Sequence, residues 1–187
     1  LYKGHNMDEK VFFKLQDLLG RNIDHQIVNY TKGKSCADDF SNLTKSTKFA
    51  ELVGIILGDG HIREKSEDRG DRYITQYYLQ FTFHEDETEL IQRTKDLCSD
   101  VFGKTLKEYT HNTRKAVQLK LYSKELVEEL KDFGLQSGNK VHNQVSVPEW
   151  IFENKDYQKR CISGLVDTDG CVYIQGNDDR AIIKFSN

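Results

Sequence analysis

The chain has 187 residues, and its 27 Lys and Arg stand against 30 Asp and Glu for a net charge of −3. This length suits one domain or two small ones with a real core, and the charge balance excludes a globally basic protein while leaving room for a local basic face. No apolar run nears the ~20 residues of a membrane span, no secretory h-region opens the chain, and Cys36, Cys98, Cys161 and Cys171 form no CxxC pair, so a cytoplasmic protein without a zinc or disulfide framework is expected.

Residues 8–19 read as a helix, with Val11, Phe12, Leu15, Leu18 and Leu19 on one stripe and Gly20 as its stop. Residues 20–46 are polar and irregular and read as a loop. From Phe49 to Leu57 the chain is apolar almost all round, the pattern of a helix buried on most sides. It ends at Gly58-Asp59-Gly60. A strand follows from Tyr73 to His84, with Tyr77, Leu79, Phe81 and Phe83 on one face and Gln76, Tyr78, Gln80, Thr82 and His84 on the other. Asp86-x-x-Glu89 reads as a capping box opening a helix through Leu90, Ile91, Leu97, Cys98, Val101 and Phe102 to Gly103. Residues 106–111 and 116–122 read as a second hairpin, and Ser123 caps a short helix stopped by Gly134. Residues 135–149 read as a polar connection.

Then the first pattern returns. Tyr157 to Val166 reads as a helix ended by Asp167-Thr168-Asp169-Gly170, with strands at Cys171–Ile174 and Ala181–Phe185. Laying Leu52–Gly60 over Ile162–Gly170 matches Gly54 to Gly164, Asp59 to Asp169 and Gly60 to Gly170, and Gln80–His84 falls over Ile182–Ser186. This is an internal duplication whose second copy stops inside an apparent strand, and the chain reads as a fragment.

Each copy ends a buried helix in Asp-Gly. A carboxylate there meets the negative end of the helix dipole, at a cost of about 0.3–1 kcal/mol. One such Asp-Gly is an ordinary turn; two at matching places invite a cation between them. Gly54 and Gly58, repeated as Gly164 and Thr168, let the two helix backbones approach closely. Paired carboxylates of this kind suit Mg²⁺, which takes oxygen ligands and keeps several waters. Such ions can activate water and stabilise the leaving oxygen in phosphodiester hydrolysis.

Leu52–Gly60 and Ile162–Gly170 resemble the two signature segments of LAGLIDADG homing endonucleases of the single-chain type, over residues 48–187. Val147-Pro148-Glu149-Trp150-Ile151 also resembles a segment of that family. The resemblance implies an α+β fold of duplicated αββαββα units, with saddle-shaped antiparallel sheets around a central helix pair and an incomplete second unit. It divides the chain into an extension (1–47), a first repeat (48–140), a linker (141–155) and the start of a second repeat (156–187). It implies metal binding at Asp59 and Asp169, helped by the carbonyls of Gly58 and Thr168. It places a catalytic lysine at Lys120 and a solvent-ordering residue at His84, matched by Ser186 in the second copy.

The resemblance further implies that the polar sheet face reads double-stranded DNA in the major groove. Gln76, Tyr78, Gln80, Thr82 and Gln118 lie on that face, and Gln suits adenine edges. Between Lys104 and Lys124 six cations, including Lys107, Arg114 and Lys115, stand against Glu108 alone, so salt-dependent binding is expected. The expected activity is Mg²⁺-dependent, site-specific cutting of both strands with short 3′ overhangs. The alternatives are a non-cleaving regulator or intron maturase on the same fold, or the endonuclease domain of an intein. A second chain or a further C-terminal segment would complete the second half.

Overall fold

The computed structural model describes residues 43–68, 70, 73–111, 115–175 and 180–185, all within one compact unit. The expected helix at 8–19 lies outside them, as do Arg114 and Ser186. Helix α1 (Thr47–Leu57) opens at Ser46, whose side chain accepts from the Phe49 N–H at 3.1 Å. Every residue from Phe49 to Ile56 is buried, as an all-round apolar pattern requires. Gly58 ends the helix, its N–H bonding the Gly54 carbonyl at 3.1 Å.

Strands β1 (Gly60–Asp68) and β2 (Tyr73–His84) form an antiparallel hairpin in the register Gly60↔Phe81 and Ile62↔Leu79. Helix α2 (Thr88–Phe102) follows and stops at Gly103, whose φ of 63° favours glycine. The capping box expected at Asp86-x-x-Glu89 does not form. Glu87 is the N-cap residue, and its side chain instead accepts from the His84 backbone N–H, which closes the turn between β2 and α2. Strands β3 (Lys107–His111) and β4 (Ala116–Tyr122) complete a four-stranded antiparallel sheet in the order β1-β2-β4-β3. Helix α3 (Lys124–Asp132) is capped by Ser123, which accepts from Leu126 N–H at 3.1 Å.

One face of the sheet presents Ile62, Leu79, Phe81, Phe83, Val117, Leu119 and Leu121 to a core shared with Leu97 and Phe102 of α2 and Leu126, Val127 and Leu130 of α3. The stretch expected to be a plain connection carries a one-turn helix α4 (Lys140–Asn143) and a 3₁₀ turn, Glu149–Glu153. Trp150 there stacks on Phe49 with centroids 5.2 Å apart and donates its indole N–H to the Phe133 carbonyl at 3.1 Å. Helix α5 (Lys155–Asp169) starts at Asn154, whose side chain accepts from Asp156 N–H, and leads into the two-stranded sheet β5 (Gly170–Gln175) and β6 (Arg180–Phe185).

Helices α1 and α5 pack against each other. A methyl group on Gly54 would run into the Cys161 carbonyl oxygen and lie 2.9 Å from Leu165 N. One on Gly164 would run into the Glu51 carbonyl oxygen. The small residues are therefore what lets the two repeats share one core. The turns match as well: a methyl on Gly60 would strike Ile56 as one on Gly170 would strike Val166. The strands match differently from the sequence alignment. Gly170 pairs with Phe185 as Gly60 pairs with Phe81, so Phe185 corresponds to Phe81 and the second hairpin is offset by two residues from the overlay, which set Phe185 under Phe83. The overlay already shortens the second hairpin, but apolar and polar residues alternate with period two, so a match two residues out of register reads equally well.

Candidate metal and nucleic-acid site

The ends of α1 and α5 meet. Asp169 is the last residue of α5, and Asp59 follows the Gly58 cap of α1. A methyl on Gly58 would strike the Thr168 side chain and lie 3.4 Å from Asp169 Oδ2, so the Asp169 carboxylate stands beside the backbone that leads into Asp59. The Thr168 hydroxyl donates back to the Gly164 carbonyl at 3.0 Å, which holds that side chain along the helix. The Asp59 carboxyl is half-buried and its pKa is raised. Burial is the main cause, the Asp169 and Glu87 charges add to it, and Lys140 opposes it.

Lys140 is the cation the fold brings to this pair. Its ammonium donates to the Leu57 carbonyl at 2.8 Å and to the Gly58 carbonyl, at the negative end of the α1 dipole. Burial pushes its pKa down, against the pull of Asp169 and Asp59. Two contacts place it: the Gly138 N–H bonds the Ile62 carbonyl at 2.9 Å, and the Asn139 side chain caps α4. The Gly58 carbonyl, expected to face a metal, is thus engaged by an ammonium group.

Lys120, expected to be the catalytic lysine, is on the polar face of the sheet. It lies on β4 between Gln80 and Lys107, with its ammonium 5.5 Å from the Tyr78 ring centre and 5.4 Å from that of Tyr109. Nothing in the sequence sets Lys140 apart, because it sits in a polar stretch where a four-residue helix leaves no periodicity. His84 ends β2 as expected, its Nδ1 accepting from the Asp86 N–H at 3.3 Å.

Among the described residues no group of three or more His, Cys, Asp or Glu could hold a metal ion. The donor set is two hard carboxylates, one of them half-buried beside a like charge. That fits an ion that keeps several of its own waters, as Mg²⁺ does, better than one that needs an all-protein cage. A cavity of about 690 Å³ opens beside Asp169, Lys140 and Gly58, walled by Gln144–Val147 and Leu165.

The second sheet face is polar from edge to edge. Gln76 and Gln80 on β2 and Gln118 on β4 are partly exposed and Thr82 is exposed. Lys107 and Lys120 pair across β3 and β4, and Lys115 is exposed at the turn into β4. Tyr78 departs from the expectation of an open reading residue, being only 8% exposed. The Arg63 guanidinium, the Lys120 ammonium and the Tyr122 ring enclose it. Strand β1 adds three residues to this face that were not foreseen, His61 beside Gln80, Arg63 beside Tyr78 and Lys65 beside Gln76. The His61 pKa is pushed down by burial and then by Arg63 and Lys140.

No protein-family model matches the chain. Among curated proteins, a 137-residue stretch is 33% identical to the ribonucleoside-diphosphate reductase NrdEB subunit alpha of Bacillus subtilis (strain 168), spanning 66% of this chain and 11% of that protein. The nrdEB subunit alpha of Bacillus phage SPbeta matches in the same measure. The chain thus spans about a tenth of the curated relatives it matches. The solved structures it is similar to are LAGLIDADG homing endonucleases. A mesophilic variant of I-DmoI aligns over 67% of this chain and 59% of its own at 18% identity and a TM-score of 0.48. I-AabMI bound to uncleaved DNA aligns over 71% and 63% at 17% identity and a TM-score of 0.43.

Proposed function

We propose that this chain is a LAGLIDADG-type, site-specific endonuclease that hydrolyses both strands of double-stranded DNA with Mg²⁺. The observation that carries the reading is the meeting of Asp59, Asp169 and Lys140 at the joined ends of two duplicated helices, beside a polar sheet face. Asp59 and Asp169 would hold the metal. When bound, Mg²⁺ supplies an acidified water and neutralises charge on the scissile phosphate.

The chain's own groups do the rest. The Lys140 proton is held at Nζ by two carbonyl acceptors, so the residue offers a fixed positive charge where negative charge builds on the phosphate. Helices α1 and α5 set the spacing of the two carboxylates through backbone contact, which leaves little freedom to lose on binding. Gln76, Gln80, Thr82 and Gln118 present donors and acceptors to base edges, while Lys107, Lys115 and Lys120 face phosphates.

The test is digestion of a pooled library of long random duplexes with Mg²⁺, with sequencing of the ends, beside Asp59→Asn and Asp169→Asn. Discrete ends with a fixed 3′ stagger that vanish in both variants support the reading. Salt-sensitive retention of particular duplexes without new ends replaces it with a non-cleaving DNA-binding protein, and neither result moves the search to structured RNA.

A second reading concerns context. The match to a tenth of a reductase subunit favours an endonuclease segment embedded in a host protein, as in an intein, over ribonucleotide reduction by this stretch. Sequencing the gene on both sides of the segment decides it: reductase sequence in one continuous frame supports embedding.

A further inference from the structure

A second hollow, of about 550 Å³, lies between the start of β1 and the 138–141 turn. His61, Arg63, Lys65 and Lys140 line it, with Glu64 and Asn139. Its acidic member is spoken for, since Glu64 accepts the Lys131 ammonium at 2.8 Å. Lys65 is likewise paired, with Glu67 at 2.9 Å. Arg63 is not well matched. Its Nη2 stands 3.9 Å from Glu67, its guanidinium lies 5.8 Å from the Tyr78 ring centre, and its Nε is buried with no hydrogen-bond partner among the described residues. A buried guanidinium N–H left unmade is costly, and the fork geometry of Arg suits two oxygens of one phosphate.

We infer that this hollow is a phosphate-docking subsite in which Arg63 grips the DNA backbone next to the cleavage centre. The inference rests on the DNA reading above. Strand β1 is the sheet edge, and Lys140 belongs both to this hollow and to the Asp59–Asp169 site. A backbone crossing the rim at β1 therefore passes from Arg63 to the reacting phosphate. The Gln residues stand further in, on β2 and β4, where base edges would lie. Arg63 is thus a binding and positioning residue, with the Tyr78 ring keeping its guanidinium plane in place.

The test is equilibrium binding of the full chain to a random-sequence duplex and to a duplex recovered from the cleavage library, across a salt series in EDTA. Arg63→Gln is expected to weaken both duplexes equally and to lower the salt slope by about 1, the loss of one phosphate contact. Arg63→Lys should restore the slope. An unchanged slope overturns the subsite, and so does a loss confined to the recovered duplex, which would make Arg63 a base reader. A wild-type chain with no salt-dependent binding to either duplex overturns the DNA reading itself, and the subsite with it.

Discussion

Asp59 shows how a site residue can be at odds with stability. Its raised pKa means that the folded chain binds the proton more tightly than the unfolded chain. Stability contributed by the protonated form is present below the ordinary carboxylate value and is lost as pH rises through the raised one. At neutral pH the ionised group is therefore a cost. Asp59→Asn removes the charge and keeps the shape, so its melting temperature at pH 7.5 in EDTA should rise above wild type while cleavage disappears. A lower melting temperature in calorimetry would refute the account. The two lysines separate in the same manner. Lys140→Met strips a donor from the Leu57 and Gly58 carbonyls and a charge from the carboxylate pair, so kcat should fall by about 100-fold or more. Lys120→Met should weaken binding and leave kcat near wild type, because its ammonium lies over Tyr78 and Tyr109. Single-turnover kinetics with a filter-binding titration reads both. The carboxylates were legible in the sequence because they recur in two copies. Lys140 was not, because a residue delivered by one turn of helix in a polar stretch has no repeat and no period to betray it.

At the scale of elements, what could be read from the residues was what has a period. Strand β2 alternates cleanly and is a strand, and α2, α3 and β4 follow their apolar spacing. Strand β1 offers Ile62 as its one aliphatic residue among charges, so its pairing is fixed by β2 and invisible in isolation. The second hairpin slipped by two residues because an alternation of period two matches equally well at either register. The helix pair was legible from its glycines alone, and it yields a graded prediction. A methyl on Gly54 or Gly164 would strike carbonyl oxygens of the facing helix, and backbone cannot swing aside as a side chain can. Each Gly→Ala change should cost about 3 kcal/mol or more, at or beyond the upper end of overpacking. Gly103→Ala is the control. It meets nothing within 4 Å but carries a φ of 63°, so it should cost only the left-handed strain of about 1–2 kcal/mol. Urea unfolding of the three variants ranks them, and a Gly164→Ala chain as stable as wild type would mean the helices are not so close.

At the scale of the whole molecule the duplication concentrates unlike tendencies at one point. Two helix C-termini, each the negative end of a dipole, converge with two carboxylates in a chain already at net charge −3. Lys140 answers part of this and is itself depressed by burial, so the joint of the two repeats is short of positive charge. A divalent cation that binds only the folded joint must then stabilise the entire chain, by about 2.7 kcal/mol at a concentration of 100 times its Kd. Protons compete for the same carboxylate. Because the Asp59 pKa is raised, more of it is protonated at pH 5 than at pH 7.5, and the cation must displace that proton to bind. Thermal melts in Ca²⁺ should therefore show a clear upward shift at pH 7.5 and a smaller one at pH 5. Asp59→Asn and Asp169→Asn should each lose most of the shift, even though Asp59→Asn begins from a higher melting temperature in EDTA. An equal Ca²⁺ shift in the double variant would place the ion elsewhere on the acidic surface and detach the metal from the meeting of the two helices.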